Sequence, residues 1–118
     1  MKKIFLLLTV IITACSFQAG KKIKPIPVPT AIQQLIKKFK SEEMTNPPRS
    51  VYSYLYDGKT VYYVPAPCCD FFSDLYDSKG KIIGHPDGGF TGRGDGSAPD
   101  FSGKRKNEKL IWKDSRGK

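Results

Sequence analysis

Apolar residues recur along this chain with two different spacings, and the change from one to the other divides it. Between Thr30 and Lys40, the residues Ile32, Leu35, Ile36 and Phe39 fall at i, i+3, i+4 and i+7, with Gln33, Gln34, Lys37, Lys38 and Lys40 on the remaining arc. That period lines up one apolar stripe on a helix. Thr30 is placed to cap the first turn, and the lysines near the last turn suit the helix dipole. Because the polar face is basic, a helix lying on a membrane surface is the competing reading. A place on the core is preferred, since the strands that follow need a cover. Asn46-Pro47-Pro48 stops the helical run, because proline lacks the needed N–H and restricts its predecessor.

From Val51 the period becomes two. Val51-Tyr-Ser-Tyr-Leu-Tyr56 and Lys59-Thr-Val-Tyr-Tyr-Val64 flank Asp57-Gly58, the preferred two-residue turn between β-branched and aromatic runs. That turn pairs Tyr56 with Lys59, Tyr54 with Val61 and Tyr52 with Tyr63, all on one face. Val51, Ser53, Leu55, Thr60, Tyr62 and Val64 make the other. A helix covers one face, and the aromatics left over form a candidate binding surface. Cys68 to Phe72 with Leu75-Tyr76 reads as a third strand or a short strand plus turn, Asp77-Ser-Lys-Gly80 as a turn, and Lys81-Ile-Ile-Gly84 as a short fourth strand. From His85 to Pro99 glycine recurs without strong periodicity, which in a compact domain marks a functional or flexible loop.

The fold expected is α+β: one N-terminal amphipathic helix packed on a small antiparallel β-sheet of about four strands, with a long Gly/Asp-rich loop. Its core draws on Ile32, Leu35, Ile36, Phe39, Val51, Leu55, Val64 and Ile82. Residues 30–101 form this domain, and residues 102–118 a basic tail that starts disordered, from which Leu110, Ile111 and Trp112 could dock as a last strand or helical turn.

The first residues read as an address. Lys2 and Lys3 precede an apolar run from Ile4 to Ile12, broken only by Thr9. That run is short of the roughly 20 apolar residues of a spanning helix and has the length of a secretory signal core. Ile12-Thr13-Ala14-Cys15 then has the form of a bacterial lipobox, which makes residues 1–14 a signal peptide and Cys15 an acylated N-terminus. The competing cleavage after Ala19 would place bulky Phe17 at the minus-three position. Several acyl chains, palmitate among them, anchor stably at about 0.8 kcal/mol per buried methylene. Residues 15–29 form a Lys/Pro-rich tether in which Pro25-Ile-Pro-Val-Pro29 favours an extended spacer.

Charge sharpens this division. The whole chain of 118 residues carries a formal +9, but residues 15–40 hold six lysines and no acid, and residues 41–100 hold nine acids against five bases. A basic protein invites a nucleic-acid reading, which secretion sets aside. Proximity to anionic head groups accounts better for the lysines at the N-terminal end.

Two groups could carry chemistry. Cys68-Cys69 could form a vicinal disulfide, remain as free thiols with one buried, or supply a nucleophile with His85 as its base. Adjacent cysteines lack the usual spacing of a metal site. Asp87, Arg93, Asp95 and Asp100 make a candidate binding loop whose carboxylates, with Asp70, Asp74 and Asp77, could converge on calcium. The loop lacks the order of the twelve-residue calcium motif. Asp and Gly also serve simply as turn residues, and Arg93-Gly94-Asp95 is too short a match to an integrin-type motif to weigh. No complete catalytic triad, metal set or cofactor motif is present.

The arrangement Tyr62-Tyr63, Cys68-Cys69-Asp70, Leu75-Tyr76-Asp77, Gly80, Pro86-Asp87-Gly88-Gly89 and Gly94-Asp95-Gly96 resembles a small domain of unknown function in secreted bacterial lipoproteins. The resemblance covers Arg49 to Phe101 and implies an envelope location and no established activity. Relatives carry further cysteines near the positions of His85 and Ser97 or Ala98, absent here, so the partners of Cys68 and Cys69 stay open. The function expected is a lipid-anchored, non-enzymatic envelope module that meets membrane lipid through Cys15, binds an envelope protein or glycan, and needs no nucleic acid or cofactor beyond a candidate calcium. The alternative is a small thiol-dependent enzyme using Cys68 or Cys69 with His85.

Overall fold

A computed structural model describes Gly20 and residues 25–117. The signal peptide over residues 1–14, Cys15 and most of the tether lie outside the described residues. Helix α1, Thr30–Ser41, buries Ile32 and Phe39 and half-buries Leu35 and Ile36, the stripe that the helical period dictates. Thr30 does not cap it. The helix is preceded by Pro29, whose carbonyl accepts the N–H groups of Ile32 and Gln33 at 3.0 Å each, and no side chain caps the first turn. Pro29 takes the cap position itself, still extended at φ −56° and ψ 145°, so Thr30 is already the first helical residue.

The far end of α1 is closed from a distance. Arg116 Nη1 donates to the carbonyls of Lys40 and Glu42 at 2.9 Å each, and Nη2 to the carbonyl of Phe39 at 3.3 Å. These are among the carbonyls that a helix end leaves without partners. The same guanidinium grips the buried Asp114 carboxylate, with Nη2 to Oδ2 at 2.6 Å, and holds that carboxyl below the usual carboxylate range.

Strands β1 (Ser50–Tyr56) and β2 (Lys59–Val64) pair with Tyr52 opposite Tyr63, Tyr54 opposite Val61 and Tyr56 opposite Lys59, the register of a tight Asp57-Gly58 turn. β3 (Asp74–Tyr76) joins β2, and β4 (Ile82–Gly84) joins β3. After a single helical turn, α2 (Phe101–Lys104), strand β5 (Lys106–Lys113) returns to pair antiparallel with β1. The sheet order is β4-β3-β2-β1-β5.

The expected fold class is therefore corrected. The molecule is a five-stranded antiparallel sheet with one short helix and a small second one, not an α+β domain built on about four strands. The missing strand lies in the segment read as a basic tail. Along β5 the residues from Lys106 to Leu110 are exposed, because the strand sits at the sheet edge, so it shows none of the apolar alternation that reveals an inner strand. Cys68 to Phe72 is likewise not a strand but a turn and an isolated bridge, Phe72 to Gly88. Two expected core residues lie outside the core, Leu55 at 38% and Ile82 at 45% exposure.

Each face of the sheet carries its own apolar cluster. Ile32 and Phe39 of α1 pack with Val51, Tyr62, Val64 and Tyr76 on one side. On the other, Tyr54, Val61 and Leu75 are covered by Ala98 and Phe101. The ring of Phe101 meets Tyr54 edge-on at 5.4 Å, Tyr56 at 5.3 Å and Tyr63 at 5.6 Å, all between centroids. The aromatic face expected to remain open as a binding surface is thus a second core, closed by the end of the Gly/Asp loop and α2. Among the described residues no helix is long and apolar enough to cross a membrane.

Phe101 is fully buried. Its replacement by alanine is expected to cost about 3–5 kcal/mol in chemical denaturation, the range for deleting a core aromatic ring. A loss below about 1 kcal/mol would show that the second cluster does not hold the fold.

Candidate functional site

The Gly/Asp loop is a built structure rather than a free surface. Tyr63 donates its phenol to Asp87 Oδ2 at 2.6 Å, and Ser73 Oγ donates to Asp87 Oδ1. Ser73 is itself buried, its Oγ accepts the N–H of Ala66 at 2.9 Å, and its backbone N–H donates to the Asp87 carbonyl at 3.1 Å. Gly94 fastens the loop from the other side. At φ +74°, a Cβ there would fall 2.0 Å from the His85 carbonyl oxygen and 2.8 Å from the Pro86 carbonyl carbon. The approach of two backbones is what requires glycine at this position. The N–H of His85 donates to Ser97 Oγ at 2.8 Å, and that of Asp95 to the His85 carbonyl at 3.3 Å.

The acidic residues singled out as a binding loop are dispersed among these tasks. Asp87 serves Tyr63 and Ser73, Asp95 accepts from Ser97, and Asp100 accepts from Tyr56 and pairs with Lys104 at 2.8 Å. Asp77 caps its own turn, accepting the N–H groups of Lys79 and Lys81. Arg93 is exposed on the loop. Among the described residues no group of three or more His, Cys, Asp and Glu side chains is placed to hold a metal ion.

What the loop does supply is His85, and His85 borders a cleft of about 680 Å³. Its walls come from three stretches: Thr45, Asn46 and Arg49 at the cis Asn46-Pro47 corner, Val64 to Phe72 after β2, and Asp74 with His85. Phe71 and Phe72 stand 63% and 43% exposed. Phe72 is steadied by the His85 ring at 5.4 Å and by Gly89 beneath it. His85 Nδ1 lies 2.9 Å from Asp74 Oδ1 and 3.2 Å from the Ser73 carbonyl. Two acceptors around Nδ1 place its proton there, and Nε2 has no partner among the described residues. Arg49 stacks over the Phe39 ring at 4.5 Å, and its Nη2 pairs with Glu42 at 3.3 Å.

Cys68 and Cys69 are joined to each other as a vicinal disulfide, with Cys69 at φ +60°, and Cys68 lines the cleft. Of the residues named from sequence, Cys68, Asp74 and His85 thus come together, whereas Asp87, Arg93, Asp95 and Asp100 do not join them. Arg49, Phe71 and Phe72 were not picked out for this site. Only the adjacent phenylalanines beside Cys68-Cys69-Asp70 hinted at it, and their strand-like reading hid their exposure.

The model of a domain of unknown function, DUF6970, matches residues 37–114. The chain belongs to this family. The match takes in β5 and ends at Asp114, so the DUF6970 domain reaches beyond the Phe101 boundary that the motif resemblance implied and includes the edge strand and the Arg116-bound carboxylate. No curated protein and no solved structure matches the chain.

Two outcomes follow for the DUF6970 domain. Replacing Gly94 by alanine is expected to destabilise by about 2–3 kcal/mol, since strain at positive φ adds to a backbone clash. Thermal unfolding of the variant reads this directly, and an unchanged midpoint would contradict the packing of Gly94 on His85. The second concerns alkali. Burial and the bond to Asp87 push Tyr63 up to about 12, the bond to Asp100 pushes Tyr56 to about 12, and burial beside Asp74 pushes Tyr76 to about 12. Burial and Glu108 raise Tyr54 as well. The unfolded chain releases these protons first, near pH 10, so the stability they carry is intact below about pH 10 and lost as the pH rises toward 12. The tyrosinate absorbance contributed by Tyr54, Tyr56, Tyr63 and Tyr76 is expected to appear together with loss of β-sheet circular dichroism, not ahead of it.

Proposed function

We propose that this chain is a lipid-anchored module of the bacterial cell envelope that binds its ligand in the cleft between Arg49, Phe71, Phe72, Asp74 and His85. The observation that carries the binding reading is the cleft itself. Exposed aromatic rings, proline and sulfur form its walls, and a small set of fixed polar groups borders it, the usual make-up of a ligand site. Its volume of about 680 Å³ lies within the range of such sites. The anchor rests on the sequence: Lys2 and Lys3, the apolar run to Ile12, and small residues before Cys15. A tether of Lys and Pro between Cys15 and α1 fits a domain held off a membrane.

The thiol-enzyme reading retains one point in its favour, that Cys68 and His85 border the same cleft. It requires a thiolate, which neither sulfur offers while the two are bonded to each other.

Intact-mass measurement of the protein from membranes, with and without reduction and alkylation, tests both readings. An acylated N-terminus at Cys15, and alkylation of Cys68 and Cys69 only after reduction, are the expected results. An unmodified N-terminus would remove the anchor. Two thiols alkylated without reduction would return nucleophilic chemistry to the cleft.

A further inference from the structure

We infer that the ligand of this cleft is an uncharged oligosaccharide, an assignment that rests on the cleft being the binding site. Charge supplies the first argument. Arg49 is paired with Glu42 at 3.3 Å, and the Asp74 carboxylate accepts from His85 Nδ1 at 2.9 Å. An anionic ligand would meet the Asp74 carboxylate, and a cationic one would have to compete with Arg49 and His85 for the carboxylates they hold. A ligand with dipoles but no charge has no such obstacle.

The pairs nevertheless leave hydrogen-bonding capacity unused. His85 Nε2 has no partner among the described residues, and Asp74 Oδ2 has only the Tyr76 phenol at 3.4 Å. Arg49 Nε is buried without a hydrogen-bond partner among the described residues, and Asn46 is exposed. Carboxylate and guanidinium are planar groups that can engage two neighbouring hydroxyls at once. Bonds to such ionised groups are the stronger kind. Stacking over Phe39 and pairing with Glu42 fix the Arg49 plane before any ligand arrives, so less conformational freedom is lost on binding.

The apolar wall completes the match. A sugar ring presents a face of C–H groups with hydroxyls around its rim. Phe71 and Phe72 offer aromatic faces to such a surface, and Pro65, Pro67 and Cys68 extend the platform. A peptide has the same mixture of polar and apolar parts, but extended peptides are commonly gripped through a free strand edge. The strands reaching this cleft, β2 at Val64 and β3 at Asp74, are both interior, each hydrogen-bonded on its two sides. The cleft therefore offers side chains and not backbone, which favours the sugar.

The test uses nitrogen-labelled full chain in a detergent without sugar head groups, titrated with chitotetraose and with cellotetraose while amide resonances are followed. Saturable shifts confined to the amides around Arg49, Phe71, Phe72 and His85 are expected with at least one of the two. Phe71→Ala, which removes an exposed ring, is expected to weaken binding about tenfold at an unchanged melting temperature. Asp74→Asn should weaken it as well, through loss of a charged acceptor. No shift at millimolar sugar, or shifts that survive Phe71→Ala undiminished, overturn the assignment. If a tryptic peptide mixture moves the same amides and sugars do not, the oligosaccharide is wrong and the cleft still stands as a binding site. If neither moves them, the cleft reading falls too.

Discussion

The carboxylate of Asp87, gripped by Tyr63 and Ser73, is the interaction on which the rest of this molecule leans. A carboxylate half-buried against a sheet is costly unless donors surround it. Here one donor comes from β2 and the other from the residue just before β3, so satisfying the charge also fixes where the loop must lie. With Asp87 seated, Gly88 and Gly89 pass close under Phe71 and Phe72, and Gly94 closes onto the His85 carbonyl. The loop then runs on to Ala98 and Phe101, which cover the second face of the sheet. A stretch that carries little apolar surface of its own thereby becomes the link between a core and a cleft.

The same arrangement explains why the site lies beside the loop and not on it. A loop whose carboxylates accept internal hydroxyls has little acceptor capacity left for a ligand. The groups it leaves free are at its margin: His85 at the start, and the phenylalanines that its glycines support. Cys68 and Cys69, joined across one peptide bond, give the chain after β2 a tight corner next to those rings. The proposed sugar-binding role uses this corner as a wall. The family identity, a domain of unknown function over residues 37–114, neither requires nor opposes that role.

Much of the framework was legible in the chain, and the limits were physical. The helical stripe ending at Phe39 and the hairpin about Asp57-Gly58 could be read because each rests on contacts between near neighbours in sequence. β5 could not, because an edge strand flanked by solvent has no apolar alternation, and its pairing with β1 joins Ser50 to Lys113. Phe101 looked like the end of a loop, since nothing local shows that three tyrosines await it. Leu55 and Ile82 were placed in the core by period alone, and α1 is too short to cover every apolar position of its face. The cleft was the least legible part, for it is assembled from corners. Arg49, Phe71, Asp74 and His85 have no common spacing, and only the folded backbone brings them together.

The grip of Arg116 on the end of α1 has a consequence in time. Helix α1 is completed by a residue that follows all five strands in the sequence. The central strand β1 likewise waits for β5 before both its sides are paired. Contacts so distant in sequence form late and slowly, because a long loop must close before they are gained. A nascent chain that has not yet reached β5 and Arg116 has neither edge strand nor clasp. Completion of the sheet and of the helix end is thereby deferred until the segment from Lys106 to Arg116 is present.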